Sequence, residues 1–238
     1  MSKSRYKPQK RGKYHVSDKT KFKQGRCTRL GPYWVAWTWA TEFSSMGNRA
    51  IIIDWKTGRQ VHCLSLGERI WYMINRWKNN ITDINEQVVL YKDSVYDMDP
   101  PLIGTTEIAG RLDLPAINGG RSCTTSDFRV FYDDGSVEIV SIKPSEEAVQ
   151  GPKHQNIRNH LAIEEAYWLN QSIPWRLEYS DDLNQILADN ISLVTQYYDE
   201  NEVFDDISYL KHLIATKQVV VDMESRVLDF GEMIKRGI

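Results

Sequence analysis

Apolar and polar residues alternate along 127–132 and again along 137–143, which predicts two half-buried β-strands. The residues between them, Asp-Asp-Gly-Ser, favour a tight turn, so the two strands are expected to form a β-hairpin. Apolar runs rich in branched and aromatic residues predict further strands near 49–55, 84–91 and 174–179.

Apolar residues recur at helical spacing along 66–77 and 154–171, which predicts two amphipathic helices among these strands. Helices that alternate with strands favour an α/β fold with a mixed sheet flanked by helices. Residues 179–238 differ, because helical spacing there predicts helices near 183–198 and 206–216, and two short apolar runs predict strands at 219–222 and 227–230. We expect this segment to form a small, mainly helical domain of winged-helix type.

Composition excludes several classes of protein. The chain of 238 residues is 41% hydrophobic, enough for a packed core, and no apolar run approaches the ~20 residues of a membrane span. Its three cysteines are widely spaced and include no C-x-x-C pair, which argues against a disulfide scaffold or a structural zinc site. The first residues are charged and resemble no secretory signal, so we expect a cytoplasmic, nucleoid-associated protein without membrane contact.

Charge is concentrated at the two ends of the chain. Residues 1–30 hold eleven Lys or Arg and one acid, whereas residues 178–238 hold thirteen acids and five bases. Basic residues that meet phosphates release condensed counterions, so we predict that the arm binds DNA through Lys3, Arg5, Lys7, Lys10, Arg11, Lys13, Lys21 and Lys23. A solvated tail that only aids solubility is the alternative. The acidic end is better suited to docking another protein.

The hairpin turn decides whether Asp127 shares a face with Lys143. A two-residue loop would pair Asp127 with Ile142, whereas a three-residue loop with a left-handed Gly135 would pair it with Ser141. We favour the second register, because only glycine adopts the required φ at little cost. It places Asp127, Ser141 and Lys143 on one face. A lysine that merely reaches solvent at the strand end is the alternative for Lys143.

Two further acids are candidates for the same site. Glu68 follows Ser65 by three residues, which is also the spacing of a capping box that would explain Glu68 without catalysis. Glu164 falls on the apolar stripe of its helix with Leu161 and Trp168, where a carboxylate is costly without a cation or donor. A buried ion-pair partner is the alternative for Glu164.

Acids beside a lysine suit phosphodiester cleavage. Carboxylates are the hard oxygen ligands that Mg²⁺ prefers, and the bound ion polarises the phosphate and lowers the pKa of an attacking water. A lysine orients that water or neutralises the charge that develops on the phosphate.

Several unlike motifs occur in one order and make the pattern more specific: Leu66-Gly67-Glu68-Arg69, Ile84-Asn85-Glu86-Gln87, Thr125-Ser126-Asp127-Phe128, Ser141-Ile142-Lys143-Pro144, Glu164-Glu165-Ala166-Tyr167-Trp168 and Ile173-Pro174-Trp175. With these motifs, the chain from about Ser65 to Trp175 resembles the TnsA family, the endonuclease subunits of heteromeric transposases.

The resemblance implies a restriction-endonuclease-like domain at 31–178, between the basic arm (1–30) and a C-terminal partner-binding domain (179–238). It implies that Glu68 and Asp127 bind Mg²⁺, for which Mn²⁺ substitutes, that Lys143 is the catalytic lysine, and that Glu164 is a further acid of the site. The implied activity is cleavage of the 5′-end strands in the double-stranded DNA of transposon ends. A DDE transposase and an AAA+ ATPase regulator, the latter on the C-terminal domain, are the implied partners.

One position departs from the family pattern. Ser141 stands where the family usually has Gln or Glu, so we expect metal binding to depend on Glu68 and the main-chain carbonyl of Ile142. Two other functions stay open: a stand-alone restriction or repair nuclease, and a non-catalytic DNA-binding adaptor. The adaptor predicts that Glu68, Asp127 and Lys143 lie apart in the fold.

Overall fold

The computed structural model describes residues 16–42, 48–95, 101–199, 201, 203 and 205–237. Within these ranges the strands are β1 (Ala50–Ile53), β2 (Gln60–Cys63), β3 (Ile81–Leu90), β4 (Thr124–Tyr132), β5 (Val137–Lys143) and β6 (Trp175–Tyr179). The α-helices in the same ranges are α1 (Asp18–Lys23), α2 (Leu66–Trp77), α3 (Thr105–Arg111), α4 (Glu147–Gln150), α5 (Gln155–Leu169), α6 (Gln185–Thr195), α7 (Asp206–Ala215) and α8 (Phe230–Lys235).

A mixed sheet in the order β3-β4-β5-β6 forms the centre of the fold. β4 pairs antiparallel with both β3 and β5, and β6 joins β5 in parallel after the crossover that contains α5. β1 and β2 form a separate antiparallel pair. The predicted α/β class with a mixed sheet and flanking helices is therefore confirmed, and the arrangement is consistent with a restriction-endonuclease-like fold.

Helices cover both faces of this sheet. On one face α2 packs Trp71 against Phe128 of β4, with ring centroids 4.5 Å apart, and Ile142 of β5 belongs to the same core. On the other face α5 buries Ile163 in a second core together with Ile139 of β5. Full burial of each such side chain contributes about 1.5–3 kcal/mol, so the two helices are held firmly over the β4–β5 hairpin.

The segment before β1 packs onto this body. Trp34 and Trp37 are buried, and Trp34 Nε1 donates to the carbonyl of Glu86 at 3.1 Å. Arg26, within the predicted arm, is buried and its Nη2 lies 2.6 Å from Glu42 Oε1. The described part of the arm therefore has tertiary contacts, while its boundary at residue 30 stays a prediction.

The C-terminal region is mainly helical, as predicted. Ala188 and Ile191 of α6 and Leu210 of α7 lie in the core that contains α2, so the helices share one hydrophobic core with the sheet domain. The boundary at residues 178/179 and a separate partner-binding role stay predictions.

The two short strands predicted for a winged-helix unit are wrong. Neither 219–222 nor 227–230 forms a strand, and α8 begins at Phe230 with Asp229 as its N-cap, which accepts from Glu232 N at 2.9 Å. Val219, Val221 and Leu228 each pack against the core from extended chain, so the apolar alternation in these runs reflects burial rather than strand pairing.

Sequence patterns also missed two elements. α3 has no clear helical pattern, because it spans seven residues, includes Gly110 and has Gly104, which has no side chain for capping, as its N-cap. β2 is only four residues long, which is too short for a periodic signal.

Candidate active site

The β4–β5 hairpin has the predicted three-residue loop. Tyr132 N donates to Ser136 O at 3.0 Å, and Gly135 within the loop has φ +82°. The pairs Phe131↔Val137 and Phe128↔Val140 fix the register, which continues to place Asp127 opposite Ser141. The favoured register is therefore confirmed, and the side chains of Asp127, Ser141 and Lys143 share the face that α5 covers.

Asp127 and Lys143 meet at the end of this hairpin. The Ile142 backbone N–H donates to Asp127 Oδ2 at 2.7 Å, and Lys143 Nζ lies 3.8 Å from the same oxygen. Lys143 Nζ also donates to the Ile142 carbonyl at 2.9 Å. Burial lowers the pKa of Lys143, but the charges of Asp127, Glu164 and Glu68 outweigh it and leave that pKa raised. The lysine is therefore fully protonated at neutral pH.

Glu68 enters the site from the start of α2. Its backbone N–H donates to Ser65 Oγ at 3.1 Å, while its carboxylate accepts from Leu64 N at 2.8 Å and from Ser65 Oγ at 2.9 Å. Glu68 therefore helps to cap α2. Its carboxylate accepts from the backbone N–H of Leu64, whereas a capping box would use the backbone N–H of Ser65. Burial, followed by the charge of Asp127, raises the pKa of Glu68 to about 8. Capping and membership of the site are therefore compatible roles for Glu68.

Glu164 reaches the same site from α5. It is buried, and the hydroxyl of Ser141 donates to its Oε1, while Trp175 Nε1 donates to Ser141 Oγ at 3.3 Å. Burial, followed by the charge of Asp127, raises the pKa of Glu164, and the hydrogen bond from Ser141 opposes that rise. Ser141 therefore orients an acid in this structure, while the expected dependence of metal binding on Glu68 and the Ile142 carbonyl stays a prediction.

Gln87 is a site residue that the sequence patterns missed. Its Nε2 donates to Glu68 Oε2 at 3.1 Å, and its Oε1 accepts from Thr125 Oγ1 at 2.8 Å. In the register of β3 with β4, Gln87 lies between the pairs Glu86↔Phe128 and Val88↔Ser126, opposite Asp127. Its signal in the sequence was three consecutive polar residues, Asn-Glu-Gln, inside an otherwise apolar strand.

Most of the predicted DNA-binding residues, Lys3, Arg5, Lys7, Lys10, Arg11 and Lys13, lie outside the described residues. The other two differ from each other. Lys23 is exposed on α1, whereas Lys21 is buried with its Nζ 3.8 Å from Glu42 Oε2, so Lys21 must leave this ion pair to meet a phosphate. DNA contact by both residues stays a prediction.

The donor set fits a hard divalent cation in charge and type. Three acids, Glu68, Asp127 and Glu164, lie within electrostatic range of Lys143, and burial together with Asp127 raises the pKa of both glutamates. Oxygen donors with surplus negative charge are what Mg²⁺ prefers. Within the described ranges, however, no three His, Cys, Asp or Glu side chains are already arranged as metal ligands. The Ile142 carbonyl, also a predicted ligand, accepts a hydrogen bond from Lys143 Nζ.

The structure brings all four predicted catalytic side chains, Glu68, Asp127, Lys143 and Glu164, into one electrostatically connected cluster. The adaptor alternative predicted that the first three lie apart, and their convergence does not support it.

In the described ranges, no helix is long and apolar enough to cross a membrane.

The chain is similar in sequence to known proteins. Residues 78–179 match the family of TnsA-like endonuclease N-terminal domains. The chain is also 26% identical over 202 residues to the transposon Tn7 transposition protein TnsA of Escherichia coli, across 83% of this chain and 70% of that protein. Asp127, Lys143 and Glu164 lie inside the family match, and Glu68 lies ten residues before it. The two comparisons therefore confirm the resemblance of the chain to TnsA-type transposon endonucleases.

Proposed function

We propose that this protein is a divalent-cation-dependent DNA endonuclease subunit of a heteromeric transposase, which cleaves the 5′-end strands of a transposon during excision. Similarity to the Tn7 protein TnsA supports the coarser part of this function, a nuclease that acts in transposition. The cation, the strand and the particular partners are our inference.

One observation carries the proposal. Asp127 and Lys143 are held 3.8 Å apart on one hairpin, while Glu68 from α2 and Glu164 from α5 approach from separate elements. Because three buried or half-buried acids share one lysine, the site holds more acids than cations, an arrangement that a fold would not retain for stability alone. Such a cluster is suited to a cation-assisted reaction on a phosphodiester.

Each side chain has a role that follows from its surroundings. Glu68 and Asp127 would hold Mg²⁺ or Mn²⁺, with the Ile142 carbonyl as a further oxygen donor. A bound divalent cation would polarise the scissile phosphate and lower the pKa of the attacking water. Lys143 keeps its proton, so its ammonium can donate to a phosphoryl oxygen or orient the water. Glu164, bound to Ser141, limits the freedom of the β5 end of the site.

Partners follow from the same inference. The substrate is double-stranded DNA at transposon ends, and we propose a DDE transposase that processes the 3′ ends beside this subunit. The acidic C-terminal region, net −8 over residues 178–238, is suited to dock an AAA+ ATPase regulator with a basic surface. The basic residues near the start of the chain add a phosphate-binding segment. These partners place the protein in the bacterial cytoplasm, at the nucleoid.

A cleavage assay with Asp127→Asn tests the proposal. The full chain is mixed with its partner transposase, Mn²⁺ and a plasmid that carries the transposon ends, and 5′-strand nicks are mapped on a denaturing gel. Asparagine keeps an oxygen that accepts from Ile142 N, so the hairpin remains folded while the charge is lost. We expect cleavage to fall at least about 100-fold.

Asp133→Asn is the matched control, because Asp133 is an acid in the loop of the same hairpin, away from the cluster. It should cleave like the wild-type chain. Full cleavage by Asp127→Asn would refute the site assignment, and absence of cleavage by the wild-type chain under every condition, with DNA binding retained, would establish the adaptor. Cleavage of plasmid DNA by the chain without any transposase would instead support the stand-alone nuclease.

A further inference from the structure

The backbone of Gln87 has a conformation that is rare in a strand. Its φ is +50°, in the left-handed region, although Gln87 is fully buried and lies in the middle of β3. Residues other than glycine occupy this region only when their surroundings fix them there, and such residues cluster at functional sites. The register of β3 with β4 is the same on either side of Gln87, so the distortion inserts no extra residue into the pairing.

The distortion changes the face to which side chains of β3 point. Ile84, before Gln87, belongs to the core beneath α2, whereas Val88 and Leu90, after it, belong to the core beneath α5. In a regular strand these even-numbered residues would all share one face. Because of the kink, β3 contributes apolar side chains to both cores, and Gln87 lies where the strand changes face.

Contacts on both sides hold this conformation. The Gln87 carbonyl accepts from Trp37 N at 3.1 Å, and Cys27 Sγ donates to the same oxygen at 3.6 Å. The side-chain amide is held as well, because its Nε2 donates to Glu68 Oε2 at 3.1 Å. Thr125 Oγ1 then donates to the remaining amide oxygen.

These contacts give Gln87 a specific task. The other donors to the Glu68 carboxylate, Leu64 N and Ser65 Oγ, come from the start of the same helix, so they orient Glu68 without reference to the sheet. In the described ranges, Gln87 Nε2 is the hydrogen-bond donor that reaches Glu68 from the sheet, and it does so from the position opposite Asp127.

We infer that Gln87 is a positioning residue, which sets the placement of the Glu68 carboxylate relative to Asp127 for cation binding. The inference rests on the function proposed above and adds a residue to it. Removal of a group that hydrogen-bonds to a metal ligand and orients it typically lowers cation affinity or activity by about 10–100-fold.

Mn²⁺ binding to the full chain tests this role without DNA or transposase. The Kd is obtained from the electron paramagnetic resonance signal of free Mn²⁺. Gln87→Gly removes the amide but permits the left-handed φ, and Gln87→Met keeps the side-chain length but has no donor. We expect Kd to rise about tenfold or more in both variants. In the cleavage assay, the Mn²⁺ concentration at half-maximal rate should rise in parallel, while the rate at saturating Mn²⁺ changes by less than about threefold.

Ser172→Gly is the matched control, because Ser172 also has a left-handed φ, +59°, in the turn after α5. Its Mn²⁺ affinity should equal that of the wild-type chain. An unchanged Kd in both Gln87 variants, beside a wild-type chain that binds Mn²⁺, would overturn the inference and leave the proposed function intact. A wild-type chain that neither binds Mn²⁺ nor cleaves DNA would overturn both.

Discussion

The hydroxyl of Ser141 donates a hydrogen bond to Oε1 of Glu164, and this contact joins β5 to α5 inside the site. Both side chains are buried, at 1% and 8% exposure. A carboxylate in such surroundings is costly unless donors compensate for its lost hydration. The serine therefore has a structural role at a position where a longer polar residue was expected from the family pattern.

Ser141→Ala should lower the free energy of unfolding by about 1–3 kcal/mol, because it removes a donor from the buried Glu164 carboxylate and leaves Ser126 as the remaining serine donor. Urea denaturation at pH 7 measures the change. A double-mutant cycle with Glu164→Gln identifies the contact as the cause, since Ser141→Ala should cost less once residue 164 carries no charge. If the two substitutions are additive, the hydrogen bond contributes no coupling and this explanation is wrong.

Stability without divalent cations should decrease as pH rises. Glu68 has a pKa of about 8 in the folded chain and 4.5 as its ordinary value, so the folded state holds the proton that the unfolded state releases. Between these two values, the free energy of unfolding should fall by about 1.4 kcal/mol per pH unit through this group. Urea denaturation in a chelating buffer at several pH values from 5 to 8 measures the slope.

Glu68→Gln is the variant that assigns this pH dependence. It removes the titrating group, so the slope between pH 5 and 8 should be shallower by about the same 1.4 kcal/mol per unit. A slope equal to that of the wild-type chain would show that other groups cause it. Addition of Mn²⁺ should stabilise the wild-type chain more at pH 8 than at pH 6, because cation binding favours the ionised acid.

Gly67, next to Glu68 at the start of α2, packs directly against Ser180. A Cβ at position 67 would lie 2.6 Å from Ser180 Cβ and 2.8 Å from its Oγ. Gly67→Ala should therefore cost about 1–3 kcal/mol of stability through overpacking, and displacement of the helix start should weaken Mn²⁺ binding.

Ser180→Gly should rescue Gly67→Ala, because it removes both atoms that clash. Thermal unfolding and Mn²⁺ titration of the single and double variants measure the effect. Gly110→Ala is the control: a Cβ added at Gly110 would meet no atom within 4 Å, and replacement of a helical glycine there should stabilise the protein by about 0.5–1 kcal/mol. Failure of the double variant to recover would mean that the clash is not the cause.

Local patterns were sufficient to predict the part of the site that lies on the hairpin. The Asp-Asp-Gly turn predicted the loop length and therefore the register of the hairpin. Because side chains alternate between the two faces of a strand, that register places Asp127 and Lys143 on one face. Glu164 could also be predicted, since an acid on an apolar helical stripe needs a polar environment.

Contacts between distant segments could not be predicted in this way. The kink at Gln87 depends on Trp37 and Cys27, which are 50 and 60 residues away in the chain, so no local periodicity reports it. Glu86 is similar: it pairs with Arg59 at 2.7 Å in the interior, and nothing nearby in the sequence distinguishes this structural acid from a catalytic one. The prediction of two strands in a winged-helix unit was wrong because alternation of apolar residues indicates burial on one side, and these residues are buried without strand pairing.

Substitution of Lys143 should affect DNA cleavage without weakening Mn²⁺ binding, unlike substitution of the acids. Lys143 Nζ lies 3.8 Å from Asp127, so the ammonium competes with a divalent cation for the same negative charge. Lys143→Met removes this competitor, and Mn²⁺ should therefore bind at least as tightly as in the wild-type chain. DNA cleavage at saturating Mn²⁺ should nevertheless fall by about 10²–10³-fold, because the charge that develops on the phosphate loses its fixed donor.

Lys153→Met is the control, because Lys153 is an exposed lysine before α5, and it should change neither the Mn²⁺ affinity nor the cleavage rate. Weaker Mn²⁺ binding by Lys143→Met would instead mean that the lysine organises the acids before the cation arrives, and its role would then be structural rather than catalytic.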